Sequence, residues 1–175
     1  KEIKSPKDMV GMKYRIPNLP IFEKNARAMG ATPVVVAWSE YPFALMQGVV
    51  DGGECSKDSY RSAGLYESAK YVADVDYAYP VEQICFSTQF WNSLSEEDQK
   101  VISDAAAQVA SHHSERTLDK WEEDKEWLIN EGGVTFCDID RQAFIDAAEP
   151  LGKELQDEGF FTTKDLYDQT RQFNK

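Results

Sequence analysis

MKYRIPNLPIFEKNARAMGATPVVVAWSEYPFALMQGVVDGGEC, residues 12–55, decides the fold. It reads as strand (KYRI, 13–16), helix, strand (VVVA, 34–37), helix, strand (VVDG, 49–52). Short strands alternating with helices of roughly ten residues are the pattern of βαβ units, and hence of an α/β fold with a parallel sheet. Open parallel sheets bind ligands outside the carboxyl ends of their strands. Arg15 falls at the end of the first strand, Trp38 just past the second, and Asp51 to Cys55 just past the third. A cation, a large aromatic face and the polar pair Glu54 and Cys55 are thereby expected on one rim.

Before this segment, Ser5-Pro6 reads as an N-cap followed by proline at the first helical position, opening a short turn that Gly11 closes. Within it, the first helix runs to about Met29 and ends at Gly30. The apolar run Val34–Ala37 predicts a strand covered on both faces, and Ser39 is placed to cap the next helix, with Glu40 in its first turn. Beyond Cys55, Ser62–Tyr71 reads as helical, with Leu65, Ala69 and Val72 on one face, and Tyr71–Phe86 as extended. Ser95–Asp98 resembles a capping box with Asp in place of Glu or Gln. It opens the longest helix, Glu96–Asn130, in which Ile102, Ala105, Ala106, Val109, Leu118, Trp121 and Leu128 recur at helical spacing. At 1.5 Å per residue such a helix is on the order of 50 Å long, long enough to bridge two lobes. Gly132-Gly133 ends it; Val134–Cys137 reads as a strand and Arg141–Asp157 as a helix. The expected organisation is an α/β lobe with ligand-binding strand ends (1–75), hinge or crossover strands (76–92), a long lobe-spanning helix (93–131), and a C-terminal strand with helices (132–175).

The chain has 175 residues, 42% of them apolar and 29% charged, as in globular proteins that bury a core. Its 31 acidic against 19 basic side chains give a net charge of −12, which argues against a nucleic-acid partner. An anionic small molecule stays possible, because one buried arginine sets a local field that screened surface carboxylates do not cancel. No run approaches the ~18 apolar residues of a membrane-spanning helix. Lys1–Asp8 is polar, so an export signal is expected to have been removed or to lie upstream. Cys55, Cys85 and Cys137 are widely spaced, match no zinc pattern, and leave open either a disulfide plus a thiol or three thiols.

Arg15 offers the rigid fork of donors that matches a carboxylate; an exposed strand-end ion pair is the bland alternative. Trp38 is either a cover for a ligand or a core aromatic. Gly52-Gly53 permits close backbone approach, as any glycine turn does. His112 and His113 are adjacent and lie about 100° apart on a helix, not at the spacing of four that a helical zinc pair needs. Glu122, Glu123, Asp124 and Glu126 read as a solvated helix face. No nucleophile-elbow, phosphate-loop or dinucleotide motif is present. Cys55 as an enzyme nucleophile therefore has no base tied to it.

Several blocks in order, SPKDMVGMKYRIP (5–17), MGATPVVVAWSEYPFALMQGVVDGGE (29–54), LYESAKYV (65–72) and FWNSLSEEDQKVISDAA (90–106), resemble those of TRAP-type periplasmic solute-binding proteins, the DctP family. The family's counterparts are an "L-K-G-x-K-x-R-x-P" strand, an "S-E-x-Y-x-A-L-Q-x-G-x-V-D-G-Q-E-N" unit, a "Y-E" helix and a "W-x-x-L" helix opening. The resemblance implies a type II-like two-lobe periplasmic-binding-protein architecture, of which this chain supplies mainly the second lobe and the long helix, the N-terminal lobe being largely absent. It implies an extracytoplasmic protein that takes a small organic acid and delivers it to a sodium-driven membrane permease, with no cofactor, no metal, no nucleic acid, no catalysis and no membrane-embedded segment. In the family the arginine of the first block pairs with the ligand carboxylate, here Arg15, and the aromatic before "S-E" packs on the ligand, here Trp38. Cys55 stands where many members have a ligand-binding Asn, and Gly53 where they have Gln. Tyr77, with Tyr79 nearby, stands near a family histidine. A rim of Arg15, Trp38, Glu54, Cys55, Tyr77 and Tyr79 is poor in amides, and so is expected to take a less hydroxylated, more apolar or aromatic acid rather than a sugar acid. Two other classes stay open: an α/β enzyme using Cys55, and a standalone interaction module.

Overall fold

The computed structural model describes residues 1–76, 78 and 83–173. The chain forms two compact units, a larger one of residues 1–75 with 128–175 and a smaller one of 76–127.

In the larger unit three parallel strands lie in the order β2-β1-β3. β1 (Lys13–Ile16) is central, with β2 (Thr32–Val35) on one side and β3 (Gly52–Gly53) on the other. Helix α1 (Pro20–Ala28) joins β1 to β2, starting at a proline whose missing N–H costs nothing at a helix N-terminus and ending before Gly30 at φ 82°. β2 lies two residues earlier than the apolar run predicts and includes Pro33. It is an edge strand, where a residue without an N–H is tolerated. Val35 is accordingly 56% exposed, so the expectation of cover on both faces fails.

Ser39 does not cap a helix. It lies inside a 3-10 turn, Trp38–Glu40, and α2 (Tyr41–Met46) starts behind it with Pro42 in its first turn. β3 is also later and shorter than VVDG predicts. Asp51 does the preceding pairing: its N–H donates to the Lys13 carbonyl and its carboxylate accepts from the Lys13 N–H, both at 2.8 Å.

The helix expected over Ser62–Tyr71 is instead α3 (Lys57–Ser62) followed by a 3-10 turn, Leu65–Glu67. Gly64 between them has φ 69°, which stops any right-handed helix. The Tyr60 hydroxyl donates to the Ala69 carbonyl and ties the two pieces together. β4 (Tyr71–Val72) pairs in parallel with β5 (Thr135–Phe136), the core of the predicted strand at Val134–Cys137. Helix α6 (Arg141–Asp157) has its predicted bounds, and the Asp140 carboxylate accepts from the Ala143 N–H at 3.1 Å. α7 (Leu166–Arg171) packs on α6 where Gly152 meets the Tyr167 ring; a Cβ at Gly152 would stand 2.1 Å from it. One core cluster gathers Met9, Met29, Ala31 and Phe144, flanked by Ile3, Met12, Tyr14, Val75 and Ile139. Lys24 on α1 reaches Glu154 and Glu158 on or beside α6 at 2.5 and 2.9 Å.

The smaller unit contains α4 (Thr88–Ser93), capped by the Ser87 hydroxyl accepting from the Phe90 N–H at 3.2 Å, and most of α5 (Glu96–Asn130). The α5 bounds agree with the predicted ones. Ser95 accepts from the Asp98 N–H at 3.1 Å and donates to the Asp98 carboxylate at 2.7 Å, so one arm of a capping box is present. The apolar stripe read along α5 is only partly buried. Trp121 and Leu128 are inside, whereas Ala105, Val109 and Leu118 are exposed. Helical spacing shows which residues share a face, not whether anything covers it. Among the described residues no helix is long and apolar enough to cross a membrane.

Candidate ligand site

The strand register assembles the rim. Arg15, next to last in the central strand, pairs with Val34 on one side and Gly53 on the other. The chain leaving β2 brings Val36 and Trp38 to its guanidinium, and the chain leaving β3 brings Glu54. Arg15 is 4% exposed, so the surface ion-pair reading does not hold.

The Arg15 Nε–H donates to the Val36 carbonyl at 2.9 Å, and Nη1 donates to Glu54 Oε1 at 3.1 Å. The guanidinium carbon lies 5.5 Å from the Trp38 ring centroid and 5.2 Å from that of Tyr41, within cation–π range. The two rings are 5.9 Å apart and tilted by 54°. A guanidinium has five N–H groups; one on Nε and one on Nη1 are engaged, and Nη2 bonds to no described residue. Since no fully buried side-chain N or O among those residues lacks a partner, Nη2 is reached by solvent. The arginine is locked on one side and open on the other.

Trp38 is 42% exposed and presents its ring to solvent beside this fork. Glu54 is turned toward Arg15 as its counter-ion. Cys55 is partly buried, and none of Cys55, Cys85 and Cys137 forms a disulfide among the described residues. The negative charge Cys55 can carry adds to burial, the larger cause, in pushing the phenols of Tyr41 and Tyr60 above the ordinary tyrosine range; Arg15 opposes this at Tyr41. Tyr77 and Tyr79 lie outside the described residues. His112 and His113 are exposed on α5.

Tyr41 was not among the residues picked out from sequence, although its ring is nearer the guanidinium than that of Trp38. The available signal was its position three residues after Trp38, the spacing that puts two side chains on one helical face. Gly53 is fixed by the same contact. A Cβ there would stand 2.7 Å from Arg15 Cβ, 2.7 Å from the Tyr41 hydroxyl and 2.9 Å from the Arg15 carbonyl oxygen.

A parallel α/β lobe thus carries at its strand ends a buried arginine beside two rings, with two of its five N–H groups engaged. The chain belongs to the DctP family, described as bacterial extracellular solute-binding protein, family 7, which matches residues 1–158. A solute-binding protein of Roseobacter denitrificans, RD1_1052, is 35% identical over 147 residues, 84% of this chain and 45% of that one. The ectoine-binding periplasmic protein TeaA of Halomonas elongata is 32% identical over 110 residues, 63% of this chain and 32% of its own length. Among solved structures, the TRAP periplasmic solute-binding protein of Ochrobacterium anthropi with bound L-fuconate superposes with a TM-score of 0.85 at 33% identity, covering 97% of this chain and 55% of that one. That of Fusobacterium nucleatum with bound sn-glycerol-3-phosphate gives 0.80 at 30% identity, covering 98% and 54%. The fold is thus that of TRAP periplasmic solute-binding proteins, and the chain spans about half the length of the relatives it matches.

Proposed function

We propose that this chain forms the carboxylate-gripping part of a periplasmic solute-binding protein, which captures a small organic acid and delivers it to the membrane permease of a sodium-driven TRAP transporter. The observation that carries the reading is Arg15: buried at a strand end, oriented by Val36 and Glu54, flanked by Trp38 and Tyr41, and open at Nη2. Nη2 holds the ligand carboxylate, Trp38 covers the ligand body, and Cys55 lies on the same rim. The long helix α5 runs along both lobes of the intact binder, and lobe closure excludes water from the ligand. Relatives named for sialic acid, ectoine and C4-dicarboxylates support binding rather than chemistry as the activity. With a thiol and aromatic rings around one arginine, the cargo is less hydroxylated than a sugar acid.

Native mass spectrometry of gently purified protein tests this directly. A small carboxylic acid released on denaturation identifies the cargo. Tight, competitive binding of a polyhydroxylated sugar acid would refute the apolar-ligand reading.

A further inference from the structure

Two rings flank Arg15, and their surroundings differ. Trp38 is 42% exposed and Tyr41 only 2%. Their centroids lie 5.5 and 5.2 Å from the guanidinium carbon, both within cation–π range. A molecule arriving from solvent can lie on Trp38; it finds almost no surface of Tyr41 to lie on.

Tyr41 also reaches the root of the arginine. Its hydroxyl and Arg15 Cβ each stand 2.7 Å from the point a Cβ on residue 53 would occupy. The tyrosine therefore runs beside the arginine, its tip near Cβ and its ring near the guanidinium. Gly53 pairs with Arg15 across the β1–β3 ladder, and the lack of a side chain there leaves room for the tyrosine tip. An arginine side chain has large rotamer freedom to lose. The donations to the Val36 carbonyl and to Glu54 hold the guanidinium through Nε and Nη1. A buried wall beside the stem and the head group removes the freedom that these two bonds leave. Residue 41 fills the variable place of the "S-E-x-Y" block, whose own tyrosine place is Pro42 here, so this wall belongs to this chain and not to the block.

We propose that the two rings have separate tasks: Tyr41 is a positioning residue that holds the Arg15 guanidinium in its ligand-facing pose without touching the ligand, and Trp38 alone presents aromatic surface to the ligand body. This rests on Arg15 being the carboxylate anchor. Loss of the Tyr41 ring then weakens every carboxylate alike, whereas loss of the Trp38 ring weakens bulky apolar acids most.

NMR of the ligand-free full chain reads the positioning without any cargo. The Arg15 Nε–H should give an exchange-protected signal with through-space contacts to the Tyr41 ring protons. Tyr41→Phe keeps the ring and should keep that signal; Tyr41→Leu should lose it to solvent exchange. Equal protection in Tyr41→Leu would overturn the inference. So would absence of the ring contacts in the parent, a result that stands even where Tyr41→Leu does not fold. Ligand-observed NMR titration with propionate and 3-phenylpropionate, sensitive to millimolar binding, reads the separate tasks. Tyr41→Leu should weaken both acids by the same factor, about tenfold, and Tyr41→Phe should restore the parent affinity. Trp38→Leu should weaken 3-phenylpropionate several-fold more than propionate. A Tyr41→Leu loss that differs between the two acids would put the tyrosine against the ligand and overturn the inference. A parent that binds neither acid would overturn the carboxylate reading, and the Nε–H comparison would still decide whether Tyr41 positions Arg15.

Discussion

Replacing Arg15 with methionine keeps much of the side-chain volume but removes two donations: to the Val36 carbonyl, 2.9 Å from Nε, and to the Glu54 carboxylate, 3.1 Å from Nη1. The Glu54 side chain is 18% exposed, so little water replaces the lost donor. Hydrogen bonds to charged groups contribute about 1.5–3 kcal/mol each, the flanking rings roughly 0.5–2, and stranding one member of a buried pair costs about 3–5 in all. We expect Arg15→Met to lower stability by about 3–5 kcal/mol. Glu54→Gln keeps an oxygen facing Nη1 and should cost about 1–3. The double variant should cost about 2 kcal/mol less than the sum, because both substitutions remove the same ion pair. Urea unfolding followed by tryptophan fluorescence measures all three. Costs that add to within about 0.5 kcal/mol would refute the coupling. In the same proteins, affinity for the acid should fall by about 2–5 kcal/mol in Arg15→Met, and an unchanged affinity would leave Arg15 a purely structural residue.

Two further outcomes follow from packing and burial. Tyr41 and Tyr60 are both held above the ordinary value of about 10 by burial. The unfolded chain releases those protons first as pH rises, so the stability they contribute is whole below about pH 10 and is lost above it. Thermal unfolding should therefore drop more steeply from pH 9 to 11 in the parent than in a Tyr41→Phe, Tyr60→Phe variant; parallel profiles would contradict this. A methyl group at Gly152 has no room beside the Tyr167 ring. Gly152→Ala should thus cost about 1–3 kcal/mol by overpacking and loosen α7, as amide exchange across Leu166–Arg171 would report. Unchanged protection would show that the ring yields freely.

Much of this molecule was legible before its structure. Both long helices have their predicted bounds, because Ser95, Asp140 and the double glycine at 132–133 punctuate them unambiguously. The parallel sheet followed from strand–helix alternation, and Arg15, Trp38 and Glu54 do converge at its strand ends. The shorter elements were misplaced where a local rule was outvoted. A β-branched run at 34–37 is a good strand sequence, but the ladder to β1 selects Thr32–Val35, with Pro33 tolerated at the edge. Helical spacing from Ser62 onward could not reveal that Gly64 takes a left-handed conformation. Tyr41 escaped because its approach to Arg15 and to Gly53, twelve positions away, shows only in the fold, its spacing of three from Trp38 being the one trace in the sequence.

The larger unit is discontinuous in the chain, with residues 76–127 inserted between its two parts, and this shapes how the protein comes into being. β4 finds β5 only across about sixty intervening residues, a closure whose entropy cost grows slowly with length but must be met before any ladder bond forms. Lys24 and Glu154, which link α1 to α6, are 130 positions apart. During synthesis Met9 and Met29 leave the ribosome on the order of ten seconds before Phe144, the residue that completes their core. Until then the Arg15 strand has no finished layer behind it, so the amino-terminal segment of this lobe must survive as an open, aggregation-exposed intermediate for the time needed to make the helix that shelters it.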